Sequence, residues 1–154
     1  MTFENFDKQV EVLSKAESTI LRELYIKQFI DTSISSYKND IANMKLFSDG
    51  YCYTGYLWDC LLQHSKITMK SLLEELVNKE KILILWDIHS CDRIFIENYW
   101  RFPKVKVIRV DAKYLIEGIE YLPEDIYIFD YDFSWTYIIT HEDDGKRRIC
   151  LKII

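Results

Sequence analysis

The chain has 154 residues, of which 49% are hydrophobic and 29% charged, and its formal net charge is −5 at pH 7. This length predicts a single domain over residues 1–154 that can bury one core without disulfides or metal. The low glycine (4) and proline (2) counts exclude a disordered chain or an all-β chain rich in tight turns.

The first third of the chain is predicted to be helical. Apolar residues recur there near a period of 3.6, which predicts two helices broken around Glu17–Ser18, with Ser18 as the cap of the second. Asp49–Gly50 predicts a turn, and Tyr51–Trp58 predicts a short extended piece that leads into a helical turn. Thr68 is expected to cap a helix that continues to about Asn78.

The second half predicts most of the strands. Lys81–Trp86 is continuously apolar, as in a strand covered on both faces, and Val105–Val110 alternates. Asp111 is expected to cap a helix that Pro123 ends. The remaining predicted elements are Ile126–Phe129, Ser134–Thr140, a hairpin turn at Asp144–Gly145, and a final strand from Arg148 to Ile154 with Ile149, Leu151 and Ile153 inward. Helices that precede most strands favour an α+β fold, with N-terminal helices packed on a largely antiparallel sheet that ends in a C-terminal β-hairpin.

Negative charge is concentrated in residues 111–144. Only Lys113 opposes the acids there, which are Asp111, Glu117, Glu120, Glu124, Asp125, Asp130, Asp132, Glu142, Asp143 and Asp144. The preceding stretch is basic, with Arg93, Arg101, Lys104, Lys106 and Arg109. An acidic face repels nucleic acid and attracts basic partners, although an ordinary solvated face gives the same pattern.

Four patterns contain residue types that could carry chemistry or recognition. Asp130 and Asp132 follow an apolar strand, as in haloacid-dehalogenase-type phosphatases, but the 22 residues after Asp132 cannot supply the rest of such a site. His89 and Cys91 offer a nucleophile and base only if their segment is extended. The run from His141 to Asp144 lacks the spacing of a calcium loop and suits a partner-binding or simply solvated hairpin. The last pattern is Trp100, which lies next to basic residues and is expected to be the most exposed tryptophan.

The cysteines and the apolar runs bear on compartment and cofactors. Cys52, Cys60, Cys91 and Cys150 form no C-x-x-C pair, which disfavours a metal site and predicts free thiols in a reducing cytosol. The N-terminus is acidic and has no apolar signal segment, and the longest apolar run, Ile82–Trp86, is too short for a membrane span. We expect a cytoplasmic protein that has no membrane segment and needs no cofactor.

Two motifs carry a resemblance to a known family. Tyr56-Leu57-Trp58, followed near the end of the chain by Phe133-x-Trp135-Thr136-x-x-x-Thr140-His141-Glu142, resembles a family of small bacterial domains of unknown function. Proteins of this kind occur as immunity proteins in polymorphic-toxin and contact-dependent-inhibition loci. The resemblance implies no cofactor and no catalytic residues.

The leading hypothesis is therefore a non-catalytic immunity protein that binds one toxin domain, expected to be a basic nuclease. Its predicted toxin-binding residues are Asp130, Tyr131, Asp132, Glu142, Asp143, Asp144 and Trp100. One alternative is a small enzyme that uses Asp130 and Asp132 or His89 and Cys91. The other is an adaptor or regulatory module, which would form a homodimer through the apolar edge Ile149–Ile154.

Overall fold

The computed structural model describes all residues from 1 to 154, and its largest element is a seven-stranded sheet. The chain forms nine strands: β1 Glu11–Val12, β2 Lys45–Phe47, β3 Gly50–Cys52, β4 Ser65–Ile67, β5 Lys81–Trp86, β6 Ile108–Asp111, β7 Ile126–Phe129, β8 Thr136–Asp143 and β9 Arg148–Ile153. Seven of them follow the order β1-β6-β5-β7-β8-β9-β4, and β2 and β3 form a separate hairpin. Every neighbouring pair is antiparallel. The α+β fold with a C-terminal β-hairpin is confirmed.

Helices cover both faces of the sheet. The five α-helices are α1 Phe3–Asp7, α2 Lys15–Phe29, α3 Ser35–Tyr37, α4 Met69–Leu76 and α5 Leu115–Gly118. Successive residues of a strand point to opposite faces, so Leu83 and Leu85 pack towards α2 while Ile82, Ile84 and Trp86 pack towards α1, α4 and α5. Two cores result, each with 18 buried residues, and β5 contributes to both. This agrees with the sequence prediction of a strand covered on both faces.

The predicted break in the first long helix is wrong. Helix α2 is continuous, and the side chain of Ser14, not Ser18, caps it by accepting a hydrogen bond from the backbone N–H of Glu17 at 3.1 Å. Ser18 lies buried inside the first turn, where its hydroxyl accepts the backbone N–H of Val107 at 2.9 Å. A serine that satisfies a buried backbone group is compatible with the helix interior, and the sequence pattern does not show that group.

The predicted helix after Asp111 is also corrected. Asp111 makes no side-chain cap and instead pairs with Lys81 at 3.0 Å. The segment Ala112–Tyr121 passes from a 3-10 turn through α5 to a second 3-10 turn. It wraps around Phe6, whose ring atom Cε1 lies 2.0 Å from the position a Cβ would take on Gly118, so only glycine fits there.

Two other predictions change in detail. The predicted strand Val105–Val110 begins only at Ile108. Strand β9 is not a free edge, because it lies between β8 and β4, with Lys66 opposite Leu151. The premise of a homodimer through the apolar edge Ile149–Ile154 is therefore wrong for the paired part of that strand.

Candidate functional site

The antiparallel order brings three distant segments to one end of the sheet. Strand β5 ends at Trp86, which lies opposite Ile126 at the start of β7, and Ile126 lies opposite Ile139 in β8. The residues after β5, before β7 and in the last part of β8 therefore meet. We call this region the acidic end; its polar side chains are Asp87, His89, Asp125 and His141, with Glu124 and Glu142 beside them.

Asp87 continues the inward-facing series of Leu83 and Leu85 and carries a carboxylate into the core. Its two oxygens accept hydrogen bonds from three groups: the Tyr53 hydroxyl at 2.8 Å, the Leu57 backbone N–H at 3.0 Å and the Tyr127 hydroxyl at 2.7 Å. Burial raises the pKa of Asp87 above its usual value, although the neighbouring His89 and these donors act in the opposite direction. Asp87 thus fixes the start of the 3-10 turn Leu57–Cys60 on the sheet.

Asp125 joins the two sequence motifs. Its Oδ1 atom accepts the indole N–H of Trp58 at 2.9 Å and the backbone N–H of His141 at 3.0 Å. The Nδ1 atom of His141 also lies 3.0 Å from that oxygen and 3.1 Å from Oδ2. A carboxylate only accepts, so Nδ1 of His141 carries the proton and Nε2 is left as the acceptor of the neutral ring. Tyr56-Leu57-Trp58 and Thr140-His141-Glu142 therefore meet on one buried carboxylate.

Aromatic rings cover this junction. Tyr56 stacks on Trp58 with ring centroids 5.0 Å apart, and it lies 5.0 Å from His141 and 4.7 Å from His89. His89 is 8% exposed, and its Nε2 atom lies 2.6 Å from the carbonyl oxygen of Gly55. A carbonyl also only accepts, so the neutral His89 ring carries its proton on Nε2 and the two histidines adopt opposite tautomers.

Acidic side chains surround the rings. Asp59, Glu124 and Glu142 are exposed, and none of them forms an ion pair with a lysine or arginine. Burial raises the pKa of Asp59, and the negative charges of Glu142, Asp40 and Asp125 raise it further. The acidic end therefore combines exposed acids with half-buried aromatic rings, and Arg93 and Arg148 are cations in the same region.

The predicted toxin-binding residues do not form one patch. Asp130, Tyr131 and Asp132 precede β8, whereas Glu142 lies in the last part of that strand. At about 3.3 Å per residue, Glu142 lies roughly 20 Å along the strand from Thr136. The two groups thus occupy opposite ends of the sheet, because an antiparallel strand separates charges that are close in sequence.

Several of these residues have structural roles. Asp130 accepts the indole N–H of Trp135 at 2.9 Å and the backbone N–H of Asp132 at 2.9 Å. Tyr131 is 49% exposed, and its hydroxyl donates to Glu17 at 3.2 Å. Asp130 therefore stabilises its own corner, while Asp132 and Tyr131 remain accessible.

The hairpin acids divide in the same way. Asp143 accepts the backbone N–H of Gly145 at 2.9 Å, and Asp144 accepts those of Lys146 and Arg147 at 3.1 and 3.0 Å. Those backbone donors lower the pKa of Asp144. Asp143 and Asp144 thus hold the turn, in line with the predicted hairpin. Glu142 makes no such bond to the turn, and its charge acts on Asp59.

Trp100 is less exposed than the sequence suggests. It packs against the core and lies under the Lys104 ammonium, which is 4.1 Å from its ring centroid. Its indole N–H is buried and has no acceptor. The exposed aromatic of this loop is Phe95, which sequence reasoning missed.

The structure does not join His89 and Cys91 into a nucleophile and base. His89 is bonded to Gly55, whereas the Cys91 backbone N–H donates to Asp49 at 2.9 Å. A hydrogen bond to Asp49 is the main cause of a raised pKa of the Cys91 thiol, which disfavours the reactive thiolate. No group of three or more His, Cys, Asp or Glu side chains is arranged to hold a metal ion.

No protein-family model matches the chain, and no curated protein or solved structure matches it either. No helix combines the length and apolar character that a membrane span requires.

The sequence indicates Tyr56, Trp58, His141 and Glu142 but not the role of the carboxylates beneath them, Asp87 and Asp125. Asp87 could have been found from its spacing, since it is two residues after Leu85 on the inward face of a buried strand. Asp125 has no such signal, because its partners come from segments 67 and 16 residues away.

Proposed function

We propose that this chain is a non-catalytic inhibitor of the immunity-protein type, which binds a basic toxin domain through its acidic end. The observation that carries the proposal is the meeting of the two motif segments on Asp125. That junction holds Tyr56, Trp58 and His141 half-buried in a ring of exposed acids.

The physical character of this surface suits protein recognition. Aromatic rings supply contact area with little conformational entropy to lose. Trp58 and His141 are held by hydrogen bonds to Asp125, and Tyr56 stacks on Trp58, before any partner binds. Exposed acids attract a basic partner over a Debye length of about 8 Å at physiological salt. The surface therefore offers both a fixed contact area and electrostatic steering.

The same geometry disfavours the enzyme alternative. The carboxylates of Asp87 and Asp125 accept hydrogen bonds that hold the Tyr56–Trp58 segment. Asp130 accepts a hydrogen bond from Trp135. The Cys91 thiol lies beside the carboxylates of Asp49 and Asp92, not beside His89, and its pKa is raised. These groups act as positioning residues for a binding surface.

Co-expression with the protein encoded immediately upstream tests the proposal. The wild-type chain is expected to co-purify with that protein and to restore growth of cells that produce it. The double substitution Asp59→Lys and Glu142→Lys should weaken the complex by about tenfold or more and reduce its salt dependence.

Asp132→Lys is the matched control, because Asp132 is an exposed acid at the opposite end of the sheet. Each of these substitutions replaces one negative charge by one positive charge. Once that general effect of net charge is subtracted, Asp132→Lys should leave the affinity for the partner within about twofold of wild type. If the double variant and Asp132→Lys lose the same affinity, the loss comes from overall charge and not from the acidic end. No complex and no rescue with the wild-type chain would refute the proposal.

A further inference from the structure

A loop after β5 carries the most exposed large apolar side chain of the chain. Phe95 is 92% exposed, and its neighbour Ile96 is 51% exposed. Burying apolar surface contributes about 25 cal/mol per Å² to stability, and an exposed side chain at a loop tip does not make this contribution to its own fold. Such a residue points to a partner that covers it.

Hydrogen bonds fix both ends of this loop, at Asp92 and at Tyr99, and so fix where the tip lies. Asp92 accepts the backbone N–H of Ser48 at 2.9 Å and also its hydroxyl. On the other side, the Tyr99 hydroxyl accepts the backbone N–H of Glu124 at 3.0 Å, and burial raises the pKa of Tyr99. Asn98 has a φ of +55°, a left-handed conformation that asparagine tolerates better than most residues, and it turns the chain back after the tip. Fixed ends limit the conformational entropy that the loop can lose on binding.

The tip adjoins the acidic end. Arg93 and Ile94, which precede Phe95, line one cavity of about 80 Å³ together with Tyr56 and His89. Tyr56 therefore lies beside His141 of the acidic end and also beside the base of the loop. A partner that covers Tyr56 reaches the loop tip without a second binding site.

We propose that Phe95 is the apolar anchor of the toxin interface and enters an apolar pocket of the basic partner beside its contacts with Glu142 and Asp59. This inference rests on the proposed function. The acids around Tyr56, next to the base of the loop, define a partner with basic residues beside that pocket.

Phe95→Ser tests the anchor, with Val77→Ser as the matched control. Val77 is an apolar residue with 51% exposure at the end of α4, shortly before the start of β5 and so at the other end of the sheet. Binding of the purified upstream-encoded protein is measured by calorimetry for the wild type and both variants. Phe95→Ser should weaken binding about tenfold or more, Phe95→Trp should retain it, and Val77→Ser should leave it unchanged.

The outcomes separate the two proposals. If the wild type binds and Phe95→Ser binds equally well, the anchor is refuted while the inhibitor proposal stands. If the wild type does not bind, the inhibitor proposal fails and the anchor fails with it. Light scattering supplies a second readout: a wild-type dimer that Phe95→Ser converts to a monomer would assign the tip to self-association and overturn the anchor.

Discussion

Replacing Asp125 by alanine should loosen the junction between the two motifs. The Asp125 side chain is 6% exposed and accepts three hydrogen bonds, one from Trp58 and two from His141. Alanine removes all three acceptor contacts at once. The neighbouring rings lose the group that fixes their orientation.

The expected loss of stability is moderate because the donors are partly accessible. A hydrogen bond to a charged group contributes about 1.5–3 kcal/mol, and its loss is most costly when the donor is left buried and unpaired. Trp58 and His141 are half-buried, so water replaces part of each lost bond. About 1 kcal/mol per bond is a reasonable value, which predicts a loss of roughly 3 kcal/mol for Asp125→Ala.

Asp125→Asn gives a sharper result. Asparagine keeps one oxygen for Trp58 and for the His141 backbone N–H, so the free energy of unfolding should fall by only about 1 kcal/mol. Its amide nitrogen takes the place of Oδ2, which lies 3.1 Å from Nδ1 of His141. The retained Oδ1 lies 3.0 Å from the same Nδ1, so the neutral His141 ring should keep its proton on Nδ1.

Urea unfolding followed by tryptophan fluorescence measures the first effect, and long-range ¹H–¹⁵N spectra of the histidine rings measure the second. Asp132→Ala, which removes an exposed carboxylate at the other end of the sheet, should change stability by less than about 0.5 kcal/mol. The reasoning is refuted if Asp125→Ala costs less than about 1 kcal/mol, or if wild-type His141 carries its proton on Nε2 at neutral charge.

Three further predictions concern the groups around this junction. Burial raises the folded-state pKa of Asp87 from 3.8, so protonated Asp87 stabilises the fold below that value, and this stabilisation is lost as pH rises through the folded pKa. Urea unfolding should therefore show the wild type losing stability relative to Asp87→Asn as pH increases. A constant difference between the two would contradict this. Asp49→Ala should speed amide exchange of Cys91 at least about tenfold, since its carboxylate holds that N–H at 2.9 Å, and unchanged exchange would show that the loop is held elsewhere. Gly118→Ala should cost about 3 kcal/mol in thermal or urea unfolding, because the new Cβ would lie 2.0 Å from the Phe6 ring; a loss below about 1 kcal/mol would mean that α5 shifts freely.

The strands were predictable where their residues face the core on both sides or alternate strictly. Lys81–Trp86, Ile126–Phe129 and the hairpin around Asp144–Gly145 follow from short-range pattern alone. The helix after Asp111 was predicted too regular, because the contact between Gly118 and Phe6 joins residues that are far apart in sequence. Ser18 was misassigned for the same reason, since its partner Val107 lies 89 residues away.

The candidate site shows the same division. The motif residues Tyr56, Trp58 and His141 were visible in the sequence, but grouping Asp130 with Glu142 was not correct in space. Closeness along the chain suggested one acidic face, and strand β8 places the two acids at opposite ends.

The sequence by itself determined the fold class, the buried strands and the presence of acids near two aromatic motifs, because period, turn chemistry and charge are local properties. Only the tertiary structure decided which of those residues meet. Antiparallel pairing of β5, β7 and β8 brings Asp87, Asp125 and His141 to one end and sends Asp130 to the other. The physical reason is that hydrogen bonds and burial between distant segments depend on strand order, which no local pattern contains.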